Sequence, residues 1–371
     1  MESARRHDRN VAILAVFLVL VLVGVAFGVF QYYSNRTPPK GSVNSPKAGQ
    51  YWATFYYPWY CDASCPSLDM WRHWNSSGYS PPNSWASRFL PDNGSGSFDP
   101  ASELYSSLST TVINRDLTWM ADARFNFTLV SWWGQNSFED NAFRLMLAQA
   151  RDNATLHLKL AAYYELEGKG DPTVDQIVGN LTYIYENRAN FTSYFRIGPS
   201  NLPVVFVYAD QYDSSNYADR WSTARSLMTA KGEPMFIVLK VFDGYTQYAT
   251  AVDGWYQYRP DVNVTSANSF PHYELQPGYS ALATPGFWSF SEASPRLDRN
   301  ATGFALAVRT IASLRPSEAR FLLIETFNEW HEGTQVEPGV PVNTGTSSFT
   351  QAGPSYGFTY LDIIKNRGQT V

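Results

Sequence analysis

Short apolar runs alternate with longer amphipathic ones from residue 51 to the end of the chain. The runs Trp52–Tyr57, Phe127–Trp132, Leu156–Tyr163, Pro203–Tyr208, Met235–Val241 and Arg320–Phe327 are short, apolar and rich in β-branched or aromatic residues, as buried strands are. Two weaker ones lie near Val252–Trp255 and Ala281–Trp288. Between them apolar positions recur at helical spacing. Phe138–Arg151 opens after Ser137, whose hydroxyl suits a helix N-terminus. Thr173–Tyr185 begins with a Thr173/Gln176 capping box and sets Ile177, Leu181 and Ile184 on one face. Trp221–Ala230 runs into Gly232 and Pro234, and Thr302–Leu314 stacks Phe304, Val308 and Ile311 before Pro316. Strands that alternate with helices pair in parallel, and about eight such units with strongly apolar strands predict an α/β closed barrel, the (β/α)8 or TIM architecture. No Gly-rich phosphate loop follows the first strand, which argues against an open nucleotide-binding sheet.

A barrel of this kind collects its chemistry at the carboxyl ends of its strands. Polar and aromatic residues do gather there. Tyr56-Tyr57-Pro58-Trp59-Tyr60 and Trp71-Arg72-His73-Trp74 follow the first strand, and Ser131-Trp132-Trp133-Gly134 follows the second. Tyr163-Tyr164-Glu165 ends the third, Tyr208 and Asp210 the fourth. Asp243-Gly244-Tyr245 and Asp253-Gly254-Trp255-Tyr256 come next. After the last apolar run, Glu325-Thr326-Phe327-Asn328-Glu329-Trp330-His331-Glu332-Gly333-Thr334-Gln335 places Glu329 and Glu332 three positions apart beside Trp330, His331 and Asn328. Two carboxyls against an aromatic surface are what cleavage of a sugar–sugar bond needs, one to give a proton and one to act as base or nucleophile. A solvated acidic loop is the plainer alternative. A metal site at Glu329, His331 and Glu332 fits less well, because the spacing matches no metal motif and the other histidines supply no second half.

Composition sharpens this. Hydrophobic residues make up 44% of the chain, enough for a large core, while the aromatic share of 16%, with 12 Trp and 24 Tyr, favours a carbohydrate ligand, since these rings stack on sugar faces and bond hydroxyls at their polar edge. The net charge of −5, with basic residues clustered only at the N-terminus, excludes a nucleic-acid partner. Residues 1–10 carry Arg5, Arg6 and Arg9, and Val11–Phe30 is an uncharged apolar stretch long enough to cross a bilayer. The segment predicts a transmembrane helix preceding the barrel, with a cytoplasmic N-terminus and membrane as a partner; a cleaved signal peptide is the competing reading. Residues 31–50, rich in Pro, Ser, Gly, Lys and Asn, form a stalk, and residues 51–371 the catalytic domain. Either way the domain lies outside the cytoplasm. Cys61 and Cys65, the only cysteines, then suit a local disulfide, with free thiols as the alternative. Nine Asn-x-Ser/Thr sequons point the same way, with Asn126 discounted as part of a buried strand and Asn35 as too near the membrane.

Taken together, Tyr56–Tyr60, Trp71–Trp74, Ser131–Gly134, Asp253-Gly254-x-Tyr256 and Asn328–Gln335 resemble glycoside hydrolase family 99, the endo-α-mannosidases and endo-α-1,2-mannanases, in consistent order along the chain; Tyr356–Leu361 fits as well. The resemblance implies endo-acting, retaining cleavage of α-mannosidic linkages without metal or cofactor. Glu329 matches the base that deprotonates the substrate 2-hydroxyl, and Glu332 the acid that protonates the leaving oxygen and later activates water. Glu165 would bind sugar hydroxyls, although Glu167 stands close enough to be the equivalent residue. Tyr57, Trp59, His73, Trp132, Trp133, Tyr256, Asn328, Trp330 and His331 are the other expected substrate contacts. Animal members are type II Golgi proteins, which implies a single-pass anchor and a catalytic domain in the Golgi lumen or at the cell surface. The alternative from another class is a non-catalytic glycan-binding barrel associated with polysaccharide or glycoprotein assembly, for which retention of both Glu329 and Glu332 has no purpose.

Overall fold

The computed structural model describes residues 49–92, 103–153, 155–210, 215–261, 279–317, 319–342 and 355–369. The expected anchor Val11–Phe30, nearly all of the stalk, and the sequons at Asn35, Asn93 and Asn263 lie outside the described residues. The strands in chain order are β1 (Tyr51–Tyr56), β2 (Phe89–Pro91), β3 (Phe127–Trp132), β4 (Lys159–Tyr164), β5 (Arg196–Ile197), β6 (Leu202–Val207), β7 (Phe236–Lys240), β8 (Gly254–Tyr256), β9 (Tyr279–Ala283), β10 (Phe321–Ile324) and β11 (Gly339–Pro341). Eight of them run parallel in the order β4-β3-β1-β10-β9-β8-β7-β6, and pairing of β4 with β6 closes the barrel. β5 adds antiparallel to β6, while β2 and β11 form a separate two-stranded ribbon.

Closure follows from the side-chain alternation of each strand, which gives both faces apolar surface to bury. Phe55, Leu129, Tyr163, Phe206, Val238, Tyr256, Leu282 and Leu323 fill the barrel, and Trp52, Tyr56, Val130, Tyr164, Val207, Leu239, Trp255 and Ile324 pack outward against the helices. Each such side chain contributes about 1.5–3 kcal/mol by leaving water. Helices Thr110–Asp122, Phe138–Asp152, Val174–Asn187, Ser215–Ala230, Ala301–Ser313 and Thr359–Lys365 cover the outside. Their caps are written in the sequence: Ser137 accepts from Asp140 N, and Thr173 and Gln176 form the reciprocal capping box.

Several expectations need correcting. Between β7 and β8 a 3₁₀ turn, Tyr245–Tyr248, takes the place of an α-helix. The apolar run Leu156–Tyr163 starts pairing only at Lys159, because Leu156 N donates back to Asn153 O at its front. Ala281–Trp288 shortens to Tyr279–Ala283, ahead of Pro285 and Gly286. Helix Ser215–Ala230 begins six positions before the expected Trp221. Helix Thr110–Asp122 adds to the expected set; its Thr110-Thr111-Val112 opening has low helix propensity, and burial of Ile113, Leu117 and Met120 overrides it. Asn126 precedes β3, not within it, and its Oδ1 accepts from Trp52 N at 2.7 Å.

Candidate active site

The strand parity that fills the barrel also decides which side chains reach its mouth. On β4, Ala161 and Tyr163 face inward, so Glu165 is next on that face; on β3, Phe127 and Leu129 put Ser131 and Trp133 there. Ser131 Oγ donates to Glu165 Oε1 at 2.8 Å and accepts from Trp133 Nε1 at 2.9 Å. Burial pushes Glu165 up to about 8, with Lys240 and Lys169 pulling the other way. Glu167 is bonded elsewhere. It accepts from Trp221 Nε1 at 2.6 Å and from Arg220, which ties it into the helical layer.

After β10 the chain turns across the barrel mouth and is pinned there. Asn328 accepts from Tyr57 N at 2.7 Å and donates to Tyr57 O at 3.0 Å, locking the acidic segment to the end of β1. Beneath it Tyr105 Oη accepts from Asn328 and from Trp330 Nε1, and donates to Glu337. Arg115 bridges Glu337 and Asp116, and Tyr56 Oη donates to Asp116 at 2.8 Å. Every partner of this network is satisfied from within, so it acts as a frame. Replacing Asn328 with Ala leaves the Tyr57 amide and carbonyl buried and unpaired, and is expected to cost about 1–3 kcal/mol of stability with a parallel loss of activity, read from denaturant unfolding.

The frame presents Glu329 and Glu332. The Glu329 carboxylate accepts the backbone N–H of His331 at 2.9 Å and is favoured in its charged form by the Glu332 N–H as well. Glu332 accepts from Tyr258 Oη at 3.2 Å, which itself accepts from Tyr57 Oη at 2.9 Å. Burial is the largest influence on both acids and raises both; Glu332 reaches about 7, and the charge of Glu332 adds to the rise at Glu329. Against that rise, the N–H donors at Glu329 favour the charged form there.

One wall is a stacked plate of Trp59 and His73, with ring centroids 4.4 Å apart and planes 13° off parallel, and His331 stacked 5.6 Å from His73. Burial lowers His73 to about 2 and His331 to about 4, so the plate is uncharged. His73 Nδ1 is buried without a hydrogen-bond partner, and Trp59 Nε1 lies near the Tyr60 hydroxyl without reaching bonding geometry. Trp133 stands 6.2 Å from Trp59, with the Lys169 ammonium 4.2 Å from its ring centre.

Four expected contacts are placed elsewhere. Trp132 has outward parity and is fully buried, its Nε1 donating to Asp140 beside Arg188. Trp330 and Asn328 are fully buried in the frame. Tyr256 lies a layer down, its hydroxyl bonded to Tyr163 Oη and Val207 O, and Tyr258, two residues on along the same face, takes the position at the mouth. Cys61 and Cys65 are disulfide-bonded in the loop after β1, so both sulfurs of Cys61–Asp62–Cys65, the one cluster of possible metal ligands among the described residues, are occupied.

Residues 47–280, more than half of the chain, match the profile of glycosyl hydrolase family 99. The chain belongs to that family. It is a glycoside hydrolase. Rat glycoprotein endo-alpha-1,2-mannosidase is 24% identical over 88% of this chain and 77% of its own length, and a human glycoprotein endo-alpha-1,2-mannosidase-like protein is 24% identical over 84% and 73%. The solved family 99 endo-alpha-mannosidase of Bacteroides thetaiotaomicron superposes with a TM-score of 0.66 at 18% identity, covering 87% of this chain and 96% of that one, which shows the shared barrel. The profile match stops before Glu329 and Glu332, so in this hydrolase the reading of that pair rests on geometry and on the motif around it.

Proposed function

We propose that this family 99 hydrolase is an endo-acting, retaining α-mannosidase in which Glu329 is the base and Glu332 the acid. The relatives named as endo-alpha-1,2-mannosidases support the substrate class. The observation that carries the chemistry is the Glu329/Glu332 pair, framed at the barrel mouth with both carboxyls raised by burial and a Trp59/His73 plate alongside. Glu329 takes the proton of the substrate O2 as O2 attacks the anomeric carbon, while Glu332 protonates the departing oxygen. A 1,2-anhydro sugar results. Glu332 then takes a proton from water, whose oxygen opens the anhydro ring at the anomeric carbon, and Glu329 returns its proton to O2. Glu165 and the unpartnered His73 nitrogen hold remaining hydroxyls, with Trp59 stacking alongside. The apolar segment Val11–Phe30 would anchor the chain as a single-pass type II protein, with the catalytic domain facing a lumen or the cell exterior.

The test is release of reducing ends by the full-length chain from α-mannans and glucosylated high-mannose glycans, with α-glucans and β-mannans as controls. Cleavage inside α-mannosyl chains is the expected result. Activity confined to the controls would overturn the substrate assignment.

A further inference from the structure

Glu325 directly follows β10 and comes next after Phe321 and Leu323 on its inward face. It is fully buried, and neither of its carboxyl oxygens has a hydrogen-bond partner. The Arg259 backbone N–H favours its charge from nearby without reaching bonding geometry. No other buried acid described above is left this way: Glu165 has Ser131, Glu167 has Trp221, Asp116 and Glu337 share Arg115, Asp140 has Arg188, and Glu329 has the His331 N–H. A buried polar group without a partner is destabilising, and such a group persists where function uses it.

Its surroundings say which function. Glu332 is its strongest charged neighbour, and Lys240, Tyr208, Tyr256 and Tyr258 complete the inner wall. Lys240 does not neutralise it by contact, since its ammonium donates to Ala209 O at 2.7 Å and lies over the Tyr208 ring. Burial holds the Glu325 carboxyl well above the usual range and so favours the uncharged acid, whose O–H donor and C=O acceptor are both unused. That pairing is complementary to a hydroxyl, which also gives one hydrogen bond and takes one. Tyr258, half-buried and bonded to Glu332, is its neighbour at the mouth.

We propose that an incoming sugar displaces Tyr258 and that Glu325 is then a further substrate-contacting residue, which hydrogen-bonds one hydroxyl of the sugar held at the cleaved bond and makes the enzyme selective for a sugar that carries it. The inference rests on the α-mannosidase reading only for the choice of sugar. A site built to bond a hydroxyl rejects the analogue lacking it by large factors, because the buried partner is then left unpaired.

The experiment compares the full-length parent with Glu325→Leu and Glu325→Gln on an α-mannoside and its 3-, 4- and 6-deoxy analogues, and measures the melting temperature of each chain without sugar. Leu is expected to lower kcat/KM on the parent sugar by at least about 10²-fold and to erase discrimination at one of the three positions, leaving the other two intact. Gln, which keeps a donor and an acceptor, recovers at least about tenfold over Leu. The Leu variant melts no lower than the parent, since an unpaired buried acid has gone. A Leu variant that melts lower and keeps every discrimination would show Glu325 to be structural and overturn the proposal. If the parent cleaves no α-mannoside, the substrate assignment alone fails; the same deoxy comparison on the sugar it does cleave then decides Glu325.

Discussion

Glu332→Gln is expected to lower kcat/KM on an unactivated α-mannoside by about 10²–10⁴-fold with the fold intact, the usual effect of losing a positioned proton donor. The loss should shrink sharply on an aryl α-mannoside, whose leaving oxygen departs without being protonated. Glu329→Gln is expected to lose a similar factor on both substrates, because the base is needed whatever the leaving group. The pH profile carries the same information. Burial raises Glu332 to about 7, and an acid catalyst works only while protonated, so the parental rate should fall as pH rises through about 7. That basic limb should be absent in Glu332→Gln. Circular dichroism keeps misfolding out of the comparison. Near-parental turnover of the unactivated substrate by either variant would show that the pair had been assigned wrongly.

What the sequence made legible and what it hid differ in physical kind. Strands with apolar residues on both faces, such as Phe127–Trp132, are continuous apolar runs and were visible. Helices with good caps, at Ser137 and Thr173, were visible too. The helix at Thr110–Asp122 was hidden because its first turn resists helix formation locally and is held by packing. Within the site, the Glu329/Glu332 pair stood out because charge at the end of a buried run is unusual. The contact residues were harder, since a shift of one residue along a strand moves a side chain from the barrel interior to the helical layer. Trp132 and Trp133 are neighbours in sequence and lie on opposite sides of the wall. Parity counted from Phe127 and Leu129 separates them, and the same count from Ala161 prefers Glu165 to an outward position. Tyr258 was recoverable from Tyr256 by the same step of two. The role of Asn328 as a clamp on Tyr57 was not, because its partner lies 271 residues away. Nor was the unpartnered state of Glu325, which depends on what every other strand places around it.

A 2-deoxy α-mannoside at the cleavage site should be all but inert, with kcat/KM lower than the parent's by about 10⁴-fold or more, since it removes the nucleophile itself and with it the gain from holding nucleophile and electrophile in one molecule. In an α-mannoside O2 and the leaving oxygen are both axial and on opposite faces, so a deprotonated O2 attacks the anomeric carbon from behind. One inversion forms the 1,2-anhydro sugar and a second opens it, and the product keeps the α configuration. In an α-glucoside O2 is equatorial and lacks that alignment, so rejection of the gluco epimer follows from geometry even where it can bind. Because the nucleophile belongs to the substrate, the separation of Glu329 and Glu332 does not forecast stereochemistry as it does for two enzyme carboxyls acting alone. The direct competitor is ordinary double displacement with Glu329 as nucleophile, which also retains configuration but does not need O2. The two mechanisms separate on one measurement. Comparable hydrolysis of the 2-deoxy analogue, or a covalent sugar on Glu329 trapped from it and seen by mass spectrometry, would exclude participation by the substrate. Release of the β anomer from the parent sugar, followed by NMR, would exclude both and leave direct attack by water, with Glu329 activating it.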